Sequence, residues 1–364
     1  QLPIKVSSPS YDKLITYPDG SFSRMLCFIN GIFLKDVEAT PELSFNFGKI
    51  IALSHQSLGS YKTVEIEAFD HKWNLMNCLD SVEDMDLISD PSQRKIVNYF
   101  LEQYKQVCAD PLRKLPKQII HNDLNDWNVL VSDNEIKGII DFGDLCYAPK
   151  ICDLAIAMAY LLLDTPTPLI RAVDLIEGYL SIQKLDEKEI ELLYYLIPAR
   201  LCVSVISSNK ERSQGNTEDY IFVTEHKAWA LLSKWFEMNP ILFKNSLMKP
   251  LGFQQLNSLP TLISKRKKHL SSALSLSFDD PIHMTSAAFQ YMYAANGDTY
   301  LDAYNNIPHV GHCHPEVTQA AARQINKLNT NTRYLYEALM GYSERLLNYF
   351  PQTLDKSIFV NSGS

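Results

Sequence analysis

The sequence predicts a two-domain protein of mixed helix and strand, and three observations carry that reading. Its 364 residues exceed the ~100–200 residues of an ordinary domain. Strand-type alternation and helix-type spacing of apolar residues both occur along the chain. Between Met238 and Pro260 the periodicity is lost among Asn, Pro and Gly, and a separate sheet-and-helix unit begins near Pro281. The expected division is therefore residues 1–237, a linker over 238–262, and a second domain over 263–364.

Composition narrows the class. Hydrophobic residues make up 46% and charged residues 21%, as in soluble globular proteins. The net charge of −8 favours solubility and speaks against a nucleic-acid partner. The longest strongly apolar run, Leu154 to Leu163, is shorter than the ~20 residues a bilayer requires, so no membrane span is expected. Seven cysteines are scattered without a CxxC pair, which reads as reduced thiols in a cytoplasmic protein. Cys313 lies between His312 and His314 but lacks the further spaced ligands of a metal site. The chain opens on Gln1, shows no signal peptide, and ends inside a small-residue turn. It is expected to be a fragment of a longer protein at both ends.

In chain order, residues 1–37 read as strands around the Pro18-Asp19-Gly20 turn, with a second break at Asn30-Gly31. Thr40-Pro41-Glu42 is a helix start: a capping oxygen, a proline where no N–H is needed, and an acid at the positive end. Residues 60–85 read as loop-rich, and Ser89 to Cys108 as a helix. Val129 to Val131, a polar turn at 132–135, and Ile136 to Ile140 form a hairpin. Asp153 is expected to cap an apolar helix running to Leu163. Helices follow over 168–181, 186–208 and 217–237, and Lys265 to Lys268 reads as a solvated charged face. Beyond 281, two short strands flank an Asn296-Gly297 turn. Helices are expected over 315–328 and 335–349, and a short strand at Phe359-Val360.

Two stretches carry chemistry. The first is His121-Asn122-Asp123-Leu124-Asn125-Asp126-Trp127-Asn128, followed through the hairpin by Asp141-Phe142-Gly143-Asp144. Phosphoryl transfer needs a carboxylate near the acceptor hydroxyl and oxygen ligands for the magnesium on the nucleotide phosphates. H-x-D-x-x-x-x-N supplies Asp123 for the hydroxyl and Asn128 for the metal, and the hairpin returns Asp141 as a second ligand. Either motif alone would read as loop polars or a strand-end turn. Both in order, a strand-turn-strand apart, disfavour that simpler reading. His121 reads as support for the loop.

The second stretch ends in Asn361-Ser362-Gly363-Ser364, a strand feeding a Ser/Gly turn whose exposed N–H groups suit an anion. It is preceded by Gly297-Asp298-Thr299-Tyr300-Leu301-Asp302 and Gly311-His312-Cys313-His314-Pro315. His309, His312 and His314 fit either acid–base groups or turn and dimer-contact residues. Arg333 fits either a substrate phosphate or a backbone carbonyl.

On these residues the first part resembles the aminoglycoside phosphotransferase and choline/ethanolamine kinase-like group, particularly its hydroxylysine kinase-like branch, including Asp153-Leu154-Ala155 at a helix start. The resemblance implies an α+β protein kinase-like domain whose small lobe is incomplete here, since residues 1–37 show neither a Gly-rich loop nor a strand Lys. It also implies ATP, Mg2+ and a small amino alcohol as acceptor, with Asp123 as base and Asn128 and Asp141 as magnesium ligands. Asp144 is a weaker ligand candidate. The second part resembles the start of a class III pyridoxal-phosphate aminotransferase, closest to the ethanolamine-phosphate and phosphohydroxylysine phospho-lyase branch. That implies an α/β domain of PLP fold type I, a cytoplasmic homodimer, and Gly363 and Ser364 in the turn that holds the phosphate of pyridoxal 5'-phosphate. Together the two parts imply phosphorylation of an amino alcohol followed by phospho-lyase or aminotransferase chemistry. The competing expectation is a class III transaminase with a kinase-like regulatory or scaffolding domain.

Overall fold

A computed structural model describes residues 15–23, 28–61, 64–68, 71, 73–215, 219–248, 250, 258–304 and 309–360. Two short strands, β1 (Ile15–Thr16) and β2 (Phe22–Ser23), pair antiparallel across the expected turn. After β3 (Ile32–Phe33) comes α1 (Pro41–Leu58), which starts where the sequence puts it: the Thr40 hydroxyl accepts the Leu43 N–H, and Pro41 opens the first turn. The loop-rich stretch holds a short helix α2 (Val64–Ala68) and a 3-10 segment (Leu75–Leu87). Asp90 caps α3 (Pro91–Val107), and α4 (Ala109–Lys114) follows directly.

The central strands frame the first motif. They are β4 (Lys117–Ile120), β5 (Val129–Ser132), β6 (Glu135–Ile139) and β7 (Cys146–Pro149). β5 and β6 form the expected hairpin, with Asp133 and Asn134 both at positive φ, 54° and 57°. Asn and Asp tolerate that conformation, and it matches the twist of the two strands. β3 lines up on β5, and β4 pairs with β7. The turn is tied to α1, because the Asn46 amide donates to the Asn134 carbonyl at 3.1 Å.

Helices α5 (Lys150–Leu161), α6 (Pro168–Leu180), α7 (Glu187–Ser213), α8 (Asp219–Glu237) and α9 (Pro240–Met248) build the large core. A reciprocal capping box of Asp186 and Glu189 starts α7. By length and composition α7 is apolar enough to cross a bilayer, but most of it is buried inside the protein. Two expectations need correction. Asp153 is not a cap: Pro149 occupies that position without a side-chain bond, and Asp153 lies inside α5. The expected linker also contains helix, α9 and the start of α10 (Leu259–His269), because the Asn239 side chain accepts the Ile241 and Leu242 N–H groups.

Past α10, the strands β8 (Met284–Ala288), β9 (Tyr291–Ala294) and β10 (Thr299–Leu301) form an antiparallel meander. It packs on the helices: Phe289 meets Tyr99 and Phe236 at ring distances of 5.5 and 5.0 Å, and the Tyr293 hydroxyl donates to the Phe236 carbonyl at 2.7 Å. By contacts the chain divides into Gln1–Pro315 and Glu316–Ser364. The latter carries most of α11 (Pro315–Lys327) and all of α12 (Glu337–Leu347), with Tyr342 against Phe359 at 5.3 Å. Phe359-Val360 is not a strand. Apolar alternation alone cannot make one, since a strand needs a neighbour to accept its ladder bonds.

Helices α1 and α6 meet at backbone distance. A Cβ added to Gly48 would lie 1.9 Å from the Leu175 carbonyl oxygen, and one added to Gly178 would lie 1.9 Å from that of Phe45. Replacing a helical glycine by alanine normally gains stability. Here the contact atoms are backbone and cannot rotate away. Gly178→Ala is expected to lose about 3 kcal/mol, read as a lower urea midpoint at unchanged slope.

Candidate active site

The loop between β4 and β5 is held from beneath by one buried carboxyl group. Asp153 on α5, fully buried, accepts the backbone N–H groups of His121 at 3.1 Å and Asn122 at 2.9 Å. Its Oδ2 also receives His55 Nε2 of α1 at 3.0 Å, and His55 Nδ1 meets the Tyr179 hydroxyl of α6 at 2.9 Å. With a carboxylate oxygen as its partner, Nε2 is a donating nitrogen of His55. The clamp lets Asn122 take a positive φ of 68°, a conformation uncommon outside glycine but tolerated by Asn. His121 braces the other side. Its Nδ1 lies 3.3 Å from the Asp123 N–H and its Nε2 lies 3.0 Å from the Ile140 carbonyl, a support role.

Asp123 and Asn128 come together. Asp123 Oδ2 accepts from the Asn128 amide at 2.9 Å and the Asn125 amide at 2.8 Å. Its Oδ1 takes Arg200 Nη2 of α7 at 2.8 Å. With its amide nitrogen committed to Asp123, Asn128 keeps its amide oxygen for another partner. Asp141 follows the hairpin, which is tied to the loop by the Ile140 N–H on the Asn128 carbonyl at 2.9 Å. Asp141 is exposed, sits at φ 60°, and among the described residues holds the Gly143 N–H on Oδ1, at 3.3 Å. Asn128 and Asp141 offer the hard oxygen donors that magnesium takes alongside phosphate and water, so this donor set fits the ion. Asp144 instead pairs with His71 at 2.8 Å.

Arg200 is the residue the motifs do not contain. It is buried on α7, and its guanidinium stands over the rings of Trp73 and Tyr160 at 5.2 and 5.6 Å. Burial works against its charge, but Tyr160 and Asp123 outweigh that cost and hold its pKa above the ordinary value. The signal was present in the sequence, since a single Arg inside the apolar run from Leu193 to Val205 must find a partner to be buried. His55, on the buried face of α1, is a second such residue. Asp126, in the same loop, is buried without a side-chain hydrogen bond on Oδ1. Desolvation pushes its carboxyl up to about 6, against its own backbone N–H and the more distant Lys227 and Lys35.

In the second motif region, His312 is held by Asp302 at 2.7 Å and bridges to the Phe289 backbone. His314 is buried against Phe289, and His309 is exposed. Arg333 bonds the Asn331 side-chain oxygen through both its N–H and Nε. Gly363 and Ser364, expected to hold the cofactor phosphate, lie outside the described residues.

Comparison with known families places these features. Residues 48–188 match the phosphotransferase enzyme family and residues 277–364 match the class III aminotransferases. Two segments of this one chain are thus similar to two different enzyme families. The phosphotransferase segment is 30% identical over 227 residues to a hydroxylysine kinase of Danio rerio, covering 59% of this chain and 63% of that protein. The aminotransferase segment is 37% identical over 123 residues to an alanine–glyoxylate aminotransferase 2-like protein of Drosophila melanogaster, covering 34% of this chain and 25% of that one. Over the same length it is 32% identical to ethanolamine-phosphate phospho-lyase homolog 1 of Caenorhabditis elegans, covering 34% and 26%. The chain thus spans under two thirds of the first relative and about a quarter of the other two. An aminoglycoside phosphotransferase structure from Alicyclobacillus acidocaldarius superposes with a TM-score of 0.50 at 14% identity, covering 68% of this chain and 77% of that one. The phosphotransferase segment therefore has the kinase-like aminoglycoside phosphotransferase fold.

Two measurements check this geometry. Asp153→Asn keeps the shape but loses carboxylate hydrogen bonds, and should cost about 2–4 kcal/mol while speeding hydrogen exchange at the His121 and Asn122 amides. Asp126 titrates at a higher pH in the folded chain than in the unfolded one, so its contribution is favourable below pH 4 and is lost as pH rises towards about 6. Asp126→Asn should therefore gain about 2–3 kcal/mol at pH 8, and the gain should vanish near pH 4 in denaturation series at both pH values.

Proposed function

We propose that the phosphotransferase segment transfers a phosphoryl group from ATP, with Mg2+, to the hydroxyl of a small amino alcohol of the ethanolamine or hydroxylysine type. The aminotransferase segment then belongs to the step that eliminates the phosphate with pyridoxal 5'-phosphate. The observation that carries this reading is the loop itself, where Asp123, Asn128 and the returning Asp141 are assembled on two rigid ties, in a chain that goes on into the class III segment.

Asp123 is the group that receives the acceptor hydroxyl. Its Oδ2 is fixed by two amide donors and its Oδ1 by Arg200, so the carboxylate is oriented before substrate arrives. That orientation suits phosphoryl transfer, where positioning and charge stabilisation carry most of the barrier reduction. Asn128 and Asp141 would hold magnesium, which neutralises charge building on the transferring phosphoryl oxygens. Gly363 and Ser364 would hold the phosphate of pyridoxal 5'-phosphate, which supplies an electron sink for elimination. Phosphate leaves far more readily than hydroxide, which gives the order of the two steps. The division into 1–237, 238–262 and 263–364, a cytoplasmic location and a homodimer belong to the same proposal.

The second reading is amino transfer by the class III segment, with the kinase-like segment in a regulatory or scaffolding role. It is favoured by the family to which that segment belongs, which is described by aminotransferase chemistry. One assay separates them. With ATP, Mg2+ and pyridoxal 5'-phosphate, the proposal expects an amino alcohol to be phosphorylated and then to release inorganic phosphate. Amino transfer to pyruvate without phosphate release would favour the second reading. Asp123→Asn should lower phosphorylation about 10²–10⁴-fold with the fold intact by circular dichroism. An unchanged rate in that variant removes Asp123 from the reaction.

A further inference from the structure

Beside the loop lies a cavity of about 220 Å³, lined among others by Asp126, Glu38, Lys35, Arg171, Lys227 and Tyr160. Three cations line it, with Asp164 as a third carboxylate, and the charges fail to cancel once the carboxylates that hold those cations are counted. Each of the three lining cations already has a carboxylate: Lys35 holds Asp36 at 2.7 Å, Lys227 holds Asp164 at 2.7 Å, and Arg171 lies 2.8 Å from Asp174. Asp126 is left over. It is 6% exposed, and its Oδ1 has no hydrogen-bond partner. A buried carboxylate oxygen without a donor is costly, and proteins keep such groups where a ligand completes them. Glu38, exposed at the rim, adds a second negative charge.

We infer that this cavity binds the ammonium group of the acceptor, with Asp126 as its carboxylate partner. The assignment of that ammonium to the acceptor rests on the phosphotransfer reading above. The geometry links the two sites. Asp126 follows Asp123 by three residues, which span at most about 10 Å of chain, within the length of one small molecule. Tyr160 lines the cavity, and its ring carries Arg200, whose guanidinium holds Asp123. The volume suits a compact amine and not a large polyamine. Asp126 thus acts as a specificity residue, selecting an amino alcohol over a simple alcohol.

The test is calorimetric titration of the 364-residue chain, without nucleotide or metal, using ethanolamine and ethylene glycol as probes. Wild type should bind ethanolamine at least about tenfold more tightly than ethylene glycol, because a site built for a charged donor rejects the analogue lacking it. Asp126→Asn should erase that preference without lowering the thermal midpoint. Ala39→Leu, which fills the cavity from another wall, should weaken ethanolamine binding and leave Asp126 intact. Undiminished discrimination in Asp126→Asn, or no discrimination in wild type, overturns the inference. If Asp126→Asn unfolds, Ala39→Leu decides by the same readout. Failure here with amino-alcohol phosphorylation intact would sink only the ammonium site. Retained discrimination without phosphorylation would sink the phosphotransfer reading and leave the site.

Discussion

The buried carboxyl of Asp153 is the constraint from which the rest of the phosphotransferase segment follows. Three donors converge on it from two distant stretches, the His121 and Asn122 N–H groups and the His55 ring. The two N–H groups follow the end of β4, and the acceptor that satisfies them comes from α5. The helices are arranged to deliver it. Gly48 and Gly178 let α1 and α6 touch backbone to backbone, which sets His55 between Tyr179 and Asp153. The position of the Asp123 loop is thus tied to packing two helices away.

On that footing, the site is organised by competition for one carboxylate. Two side-chain amides and a guanidinium share Asp123. The Asn128 amide spends its donor there and is left with an oxygen, while Asp141 spends little and stays exposed. The loop and the end of the hairpin therefore differ: one carboxylate is held by three donors and the other is exposed. Arg200 is buried beside Asp123, with the aromatic faces of Trp73 and Tyr160 against its guanidinium.

Much of this was legible in the sequence where the information is local. The Thr40-Pro41 start, the hairpin at Asp133-Asn134 and the spacing from His121 to Asn128 are written in neighbouring residues, and each element stands where the spacing placed it. Asp153 misled for a physical reason: an acid in the first turn of a helix has the composition of a cap, and only the loop thirty residues upstream shows that its oxygens face elsewhere. Arg200 belonged to no motif, and its partner lies 77 positions away. Phe359-Val360 had the residues of a strand but pairs with no strand among the described residues, and the helix at Pro240–Met248 depended on the Asn239 cap inside a stretch that otherwise read as linker.

The meander of β8 to β10 gives the fusion a mechanical meaning. Its Phe289 and Tyr293 complete an aromatic cluster begun by Tyr99 and Phe236 on the phosphotransferase helices. The seam between the two families in the sequence is therefore not the seam in the core. Scissors placed at the linker would cut through neither fold cleanly, but would strip oil from both sides of a shared joint and leave each half with a sticky face of its own.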